Sequence, residues 1–450
     1  IWGERYPKTI EKLGGVGHHF FKAEDFRKEV NWFSVLISLE AKKISDYIRR
    51  RDEIERLILL GQLSNAELVL DGVLKEFGYS VWYYEMKFLI LARQDKEDQI
   101  WRLETEINEK KDQTSYFAYL IYSLAKRSMK NFSAFNYDAE LDSQIERSRT
   151  SFLKDQCDFF HLFLNFYKNY ADKDATAAIS MVSPLSIIDR YNFWVNILRS
   201  SYVTRKGDRH FITHIAHVVY ESTQDKYLLP LAILDDKDII PDEYYNSEFI
   251  EILDRYYLGE FDNVLQLCRQ YIKHNPSNFD VIKLYVRALI FKGEPYYPLV
   301  KGENVLVSEI AQQVYEVLVS KENTNNLAQL YQLQKSISGL SIASGMDYFY
   351  LGERHIHPDI TLYALSLYNY NPLFAHLLET QEARLEYIES GKNLFGEIPF
   401  LLLCSQRERL EQIKDERIYP NIRDAQNATI VYQKGDFQEA IEKWSRILEA

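Results

Sequence analysis

Cysteine is nearly missing from this chain: Cys157, Cys268 and Cys404 are scattered over 450 positions. Their odd number and the lack of any CxxC exclude a disulfide framework and a zinc ribbon, and they point to a reducing, cytoplasmic setting. Glycine (17) and proline (11) are scarce, which disfavours β-sandwiches and long loops, since both need many turn residues. No apolar run reaches the roughly 18 residues that span a bilayer. The longest, 117–124 and 400–404, fit buried helices, so no membrane partner is expected. Basic residues are outnumbered, 54 against 66 acidic, giving a net charge of −12. Broad nucleic-acid binding is not expected of such a surface, because counterion release needs clustered cations. The short basic runs Lys42-Lys43 with Arg49-Arg50-Arg51, and Lys126-Arg127 with Lys130, read as solvated helix faces. Phosphate-cradling loops of the GxxxxGK[ST] or GxGxxG type and a GxSxG elbow are lacking, so no cofactor is implied.

What is present is aromatic and helical. Thirty-three tyrosines and 25 phenylalanines suit the gaps between packed helices. Apolar residues recur at helical spacing from Ala23 onward, with Asp25 placed to begin the first helix. Three segments share one spacing. Gly61–Ala66–Val73, Gly259–Val264–Tyr271 and Gly435–Ala440–Ile447 keep the offsets 0, +5 and +12. Pro276 follows the second at +17, and Gly293 lies 34 residues after Gly259. Glycine makes the turn, and two residues on one face of the next helix pack against the first. This pattern, clearest in 257–278 and 432–450, resembles the tetratricopeptide repeat (TPR). The resemblance implies an all-α fold, an α-solenoid of TPR-like helix-turn-helix repeats, partly degenerate. A repeat of about 34 residues would give roughly 13 hairpins over 450 positions.

The expected organisation runs in five stretches. Residues 1–50 form an N-terminal helical or linker segment, with the first twenty read as loop. Residues 51–230 are degenerate repeats, 245–300 the clear TPR-like repeats, 301–415 a divergent helical region, and 416–450 the start of a further repeat. The break at 225–245 rests on Pro230 and Pro241 around Asp235-Asp-Lys-Asp238. Ser64 or Asn65 is expected to cap the helix after Gly61. Pro298 stands where a small residue belongs, so the array is expected to be interrupted there. The chain opens on Ile1 rather than Met and stops at Ala450 inside a repeat, which reads as a fragment. A catalytic domain fused beyond either end fits that reading.

Chemistry-bearing patterns are few. His210, His214 and His217 are spaced i, i+4, i+7 and share a helix face that could hold a metal. Surface histidines explain the same spacing, and the HExxH signature is missing. Arg205–His210 and Arg269–His274 both read RxxxxH, similar to the catalytic string of helical HEPN ribonucleases, in which the histidine acts in acid–base cleavage. Arg205 and His210 are the better pair. His355-Ile-His357-Pro-Asp359 resembles part of a metallo-β-lactamase ligand string, but Ile360 replaces the closing histidine. Glu85-Met-Lys87 imitates the end of a PD-(D/E)xK nuclease site, yet it falls in a helical stretch. No catalytic, metal or cofactor site is therefore assigned, and enzyme activity within this chain is not expected.

The expected function is that of an interaction scaffold. Stacked hairpins build a concave groove that takes an extended peptide or a helix. The partner is a protein or peptide, with aromatic anchors on this chain and a basic or amphipathic segment on the other side. Tyr285 and Arg287, in the helix after the clear repeat, are the groove positions named. The alternative is a sensor or regulatory arm of a larger bacterial enzyme of defence or signalling type, by analogy with the fold alone.

Overall fold

The computed structural model describes residues 4–13, 25–110, 185–204, 206–228, 247–257, 259–319, 324–343 and 437–449, with groups of one to three positions between them. Among the described residues the regular elements are helices, and no strand occurs. The segments 141–154, 159–167, 175–181 and 362–379, and most of 115–126, all with apolar residues at helical spacing, lie outside the described residues. The chain divides into two compact units, one made of 1–225 with 327–343 and the other of 226–326 with 344–450.

The first unit begins with α1 (Phe26–Leu39), α2 (Ala41–Leu59), α3 (Leu63–Phe77), α4 (Val81–Arg93) and α5 (Glu97–Lys110). Each of α2 to α5 packs on its neighbour in sequence. Asp25 caps α1 by accepting from the amides of Arg27 and Lys28. α2 runs unbroken through the charged stretch 49–55 because two of its charges face inward: Arg51 and Glu55 are both buried. α3 starts at Leu63 behind Gln62, which gives no side-chain cap. The expected caps Ser64 and Asn65 lie inside its first turn instead. The turn is closed by backbone alone, so no capping side chain is required.

That closure recurs. The Gly61 amide donates to Ile58 O (3.1 Å) and the Gln62 amide to Leu57 O (2.8 Å). Gly259 and Glu260 repeat it on Tyr256 and Arg255, and Gly293 and Glu294 on Ile290 and Leu289. All three glycines have positive φ, between 67° and 74°. This is the Schellman ending, which satisfies the last carbonyls of a helix with two backbone amides. The residues at +5 and +12 are the buried ones: Ala66 and Val73 in the first unit, Val264 and Tyr271 in the second.

α6 (Ile187–Thr204) and α7 (Arg209–Thr223) complete the described helices of residues 1–225. They pack on each other, on α1 and on α2. A polar knot fastens them. Arg51 donates to both oxygens of Asp225 (3.0 and 3.2 Å), the Tyr191 hydroxyl donates to Asp225 (2.6 Å), and Asn192 donates to the Tyr47 hydroxyl (2.7 Å). Arg51, Tyr47, Tyr191 and Asp225 are all buried, so these bonds replace water that the interior has excluded. Asp189 does similar work at a helix start. Its carboxylate accepts from the amides of Val81 (2.9 Å) and Trp82 (3.0 Å), capping α4 from another helix.

The second unit contains α8 (Ser247–Tyr257), α9 (Phe261–His274), α10 (Phe279–Lys292) and α11 (Leu306–Val319). Each packs on the next, and α8 also touches α10. Asn278 caps α10 through the amides of Asp280 and Val281. After Gly293 the chain runs without helix to Val305. Pro295 and Pro298 lie in this stretch, and its hydrogen bonds come from tyrosine and serine: Tyr315 OH to Glu294 O (3.0 Å), and Ser308 Oγ with the amide and carbonyl of Val300 (2.9 and 2.8 Å). α12 (Thr324–Ser336) and α13 (Phe437–Glu449) are the remaining described helices.

Candidate functional site

Residues 4–13, Glu-Arg-Tyr-Pro-Lys-Thr-Ile-Glu-Lys-Leu, form a strap across the ends of α2, α3, α4 and α6, finishing in a single 3-10 turn at Ile10–Lys12. Pro7, Ile10 and Leu13 are buried while Arg5, Lys8, Glu11 and Lys12 are exposed. The apolar period is therefore three, which suits an extended or 3-10 chain lying on a surface.

The strap is held by helix ends. The Tyr79 amide donates to Pro7 O (2.8 Å), and the Ile187 amide, at the start of α6, donates to Arg5 O (2.9 Å). Lys8 Nζ donates to the carbonyls of Lys75 (3.2 Å) and Glu76 (3.1 Å) at the C-terminus of α3, where a cation also meets the negative end of the helix dipole. Tyr6 donates its hydroxyl to Glu40 Oε2 (2.6 Å). The Lys43 ammonium lies 4.2 Å from the centre of the Tyr6 ring, and Arg5 pairs with the other Glu40 oxygen. Burial raises the Glu40 carboxyl, but the hydrogen bonds from Tyr6 and Arg5 outweigh it and hold it below the usual glutamate value. Burial, then the Glu40 bond, pushes the Tyr6 phenol up.

Gly78 makes the close approach possible. It has φ +80°, and a Cβ there would stand 2.2 Å from Pro7 O. Only a glycine fits where another backbone passes so near. The loop expected over residues 1–20 does not anticipate this strap. The signal was the spacing Pro7–Ile10–Leu13, which is too short and of the wrong period to register in a search for helices or strands.

No protein-family model, curated protein or solved structure matches this chain.

The residues named from sequence are placed as follows. His210, His214 and His217 lie on α7, the first two exposed and the third half-buried. His217 Nε2 is 3.6 Å from Glu221 Oε1. Among the described residues no group of three or more histidines, cysteines, aspartates or glutamates is arranged to hold a metal ion. The apolar side of α7 is Ile212, Ile215, Ala216 and Val219, while Val218, expected among them, is exposed. Arg205 lies outside the described residues, as do His355, His357 and Asp359. In the second RxxxxH pair, five positions on one helix turn the side chains about 140° apart. Arg269 is taken up in packing: it donates to the Tyr285 hydroxyl (2.9 Å) and lies over the Tyr297 ring at 4.9 Å.

Tyr285 is fully buried and donates to Tyr297 O (2.9 Å). It is core, not groove surface, because the loop after Gly293 folds back over it. Arg287 is half-buried, and burial raises the Tyr256 phenol while the nearby Arg287 charge lowers it. Glu85 pairs with the buried Arg127, and Lys87 reaches Glu67 (2.9 Å) and Asp71 (3.2 Å) across the α3–α4 seam. Two basic runs were thus misread in part, since Arg51 and Arg127 are interior ion-pair partners. Cys268 is buried, and burial raises its thiol. Lys283, 4% exposed, is paired with Asp280 (2.5 Å), and burial lowers it to about 8 against that pairing.

Proposed function

We propose that this protein is an interaction scaffold, a TPR-like α-solenoid that binds a basic or amphipathic segment of a partner protein in extended form. The carrying observation is the strap. A ten-residue segment with cations at Arg5, Lys8 and Lys12 is held by the helix ends of the first unit through main-chain and side-chain bonds. Recognition of an extended peptide works in this way: backbone bonds give affinity and side-chain pockets give specificity. Two further features support the reading. The net charge of −12 favours basic ligands. Trp32 and Trp101 are 51% and 68% exposed, and tryptophan is enriched among residues that anchor interfaces.

Among the described residues no helix is long and apolar enough to cross a membrane. The cytoplasmic setting remains part of this proposal.

The test is a peptide display library of extended twelve-residue segments probed with the purified full chain. Enrichment of basic, aromatic-containing segments is expected, with saturable binding on resynthesis. A library that yields no saturable binder sinks the scaffold reading.

A further inference from the structure

We infer that residues 4–13 are an exchangeable ligand held in cis, and that the surface beneath them takes a partner segment of the same chemistry. That segment has a hydroxyl-bearing aromatic followed by proline, a cation two residues after the aromatic, and apolar residues four and seven after it. This inference rests on the scaffold reading and names the site and the ligand pattern.

Each part of the pattern follows from a contact. The aromatic hydroxyl is set by Glu40 and the ring by the Lys43 ammonium above it and Phe77 beside it, at 6.4 Å between ring centres. Proline suits the second place. Pro7 N needs no acceptor, and its carbonyl takes the Tyr79 amide over the Gly78 backbone. The cation is set by the α3 carbonyls that Lys8 reaches. The apolar positions are set by the sites that bury Ile10 and Leu13.

Two observations make the strap a ligand rather than core. From Glu4 to Thr9 it has no regular structure, and the hydrogen bonds of Arg5 to Lys8 run to helix ends and to Tyr79 between two helices, while Lys12 pairs with Glu4 inside the strap (2.7 Å). Helices α2 to α5 each pack on their neighbour in sequence, and the 3-10 turn of the strap adds its own packing against α5. A segment of the same chain competes as an intramolecular ligand. A partner must therefore displace it, and its apparent affinity falls by the fraction of chains whose strap is open. The strap sets a threshold for binding.

The experiment uses the full chain and a fluorescent peptide of sequence Glu4–Leu13. The native chain is compared with one carrying Tyr6→Ala and Ile10→Asp in its own strap. The labelled peptide is expected to bind the weakened chain at least about tenfold tighter than the native one. A peptide carrying Tyr6→Ala should bind neither, and Glu40→Gln in the weakened chain should lower binding again. In a parallel arm, a protease site inserted between Leu13 and Asp25 cuts the tether, and exchange of the severed strap for labelled peptide is followed by native mass spectrometry. Equal or absent binding in both chains, or a severed strap that never exchanges, overturns the inference. Loss of the helical circular-dichroism signal on release also overturns it, since the strap would then be core. A strap-exchanged dimer of the native chain would assign the surface to a second copy and overturn the partner. Strap exchange is read without any outside protein, so it can fail while the library succeeds, and the reverse.

Discussion

At the scale of single residues, two glycines with nearly the same φ separate conformational strain from steric exclusion. Gly259 (φ +73°) has open space where a Cβ would point, whereas Gly78 (φ +80°) has Pro7 O at 2.2 Å. Gly259→Ala is expected to destabilise by about 1 kcal/mol, the penalty of left-handed backbone alone. Gly78→Ala should cost about 3 kcal/mol, because the strap must also lift. Urea titrations of the two variants check this, and equal losses would refute the close contact. The Arg51–Asp225 pair gives a second prediction. Asp225→Ala leaves the Arg51 guanidinium, 3% exposed, with Asp52 at 3.1 Å as its remaining carboxylate and strands the buried Tyr191 hydroxyl, so it should lose about 3 kcal/mol. The double variant Arg51→Met with Asp225→Leu is expected to recover most of that loss in thermal melts.

Arg51 also marks where the sequence could be read and where it could not. A run of three arginines looks like solvated surface, since spacing alone does not reveal which member turns inward. Asp52 beside it supplies one carboxylate, and Asp225, 174 residues away, completes the pairing that makes an interior charge tolerable. The burial of Tyr285 is hidden for a related reason: the loop that covers it begins after Gly293 and meets its hydroxyl at the Tyr297 carbonyl, twelve residues on, and no periodicity reports a loop that folds back.

Among the elements, helices and their turns were the most legible part. Gly61 and Gly259 were found because glycine advertises positive φ. The α4–α5 turn was not, although it closes identically. The Asp95 amide donates to Ala92 O (3.1 Å) and the Lys96 amide to Leu91 O (2.9 Å), with Asp95 at φ +57°. Aspartate tolerates that conformation and so hides the turn. The expected order of stability at position 95 is Gly above Asp above Val, with Asp95→Val losing about 1–2 kcal/mol. Thermal melts of the Gly and Val variants check the order. The strap was illegible because ten residues of period three resemble any loop until the surface that holds them is known.

For the whole molecule, scarce glycine and proline leave few turns and apolar residues recur at helical spacing, which together point to the helices found among the described residues. The pH response was not readable, since it depends on burial. Burial pushes Asp189 up to about 6, against the amide bonds that lower it. Its contribution is therefore fully present below the ordinary aspartate value near pH 4 and lost as pH rises through 6. A shift of about 2 units corresponds to about 3 kcal/mol at most. Relative to Asp189→Asn, the native chain should gain stability as pH falls from 7 to 4.5, read as the difference in urea midpoints. Glu40 has the opposite sign. Its lowered value gives stability above the usual glutamate range that fades in acid, so acid should loosen the strap while protonation of Asp189, at the α4–α6 joint, relieves the cost of burying its charge.

That joint also dictates a schedule. The amides that open α4 wait for a carboxylate 108 positions downstream. At ribosomal speeds of roughly 5–20 residues per second, they emerge on the order of ten seconds before their acceptor. During that interval the nascent α4 has Ser80 as its only described cap, and chaperones have a window in which its aromatic face is still open to them.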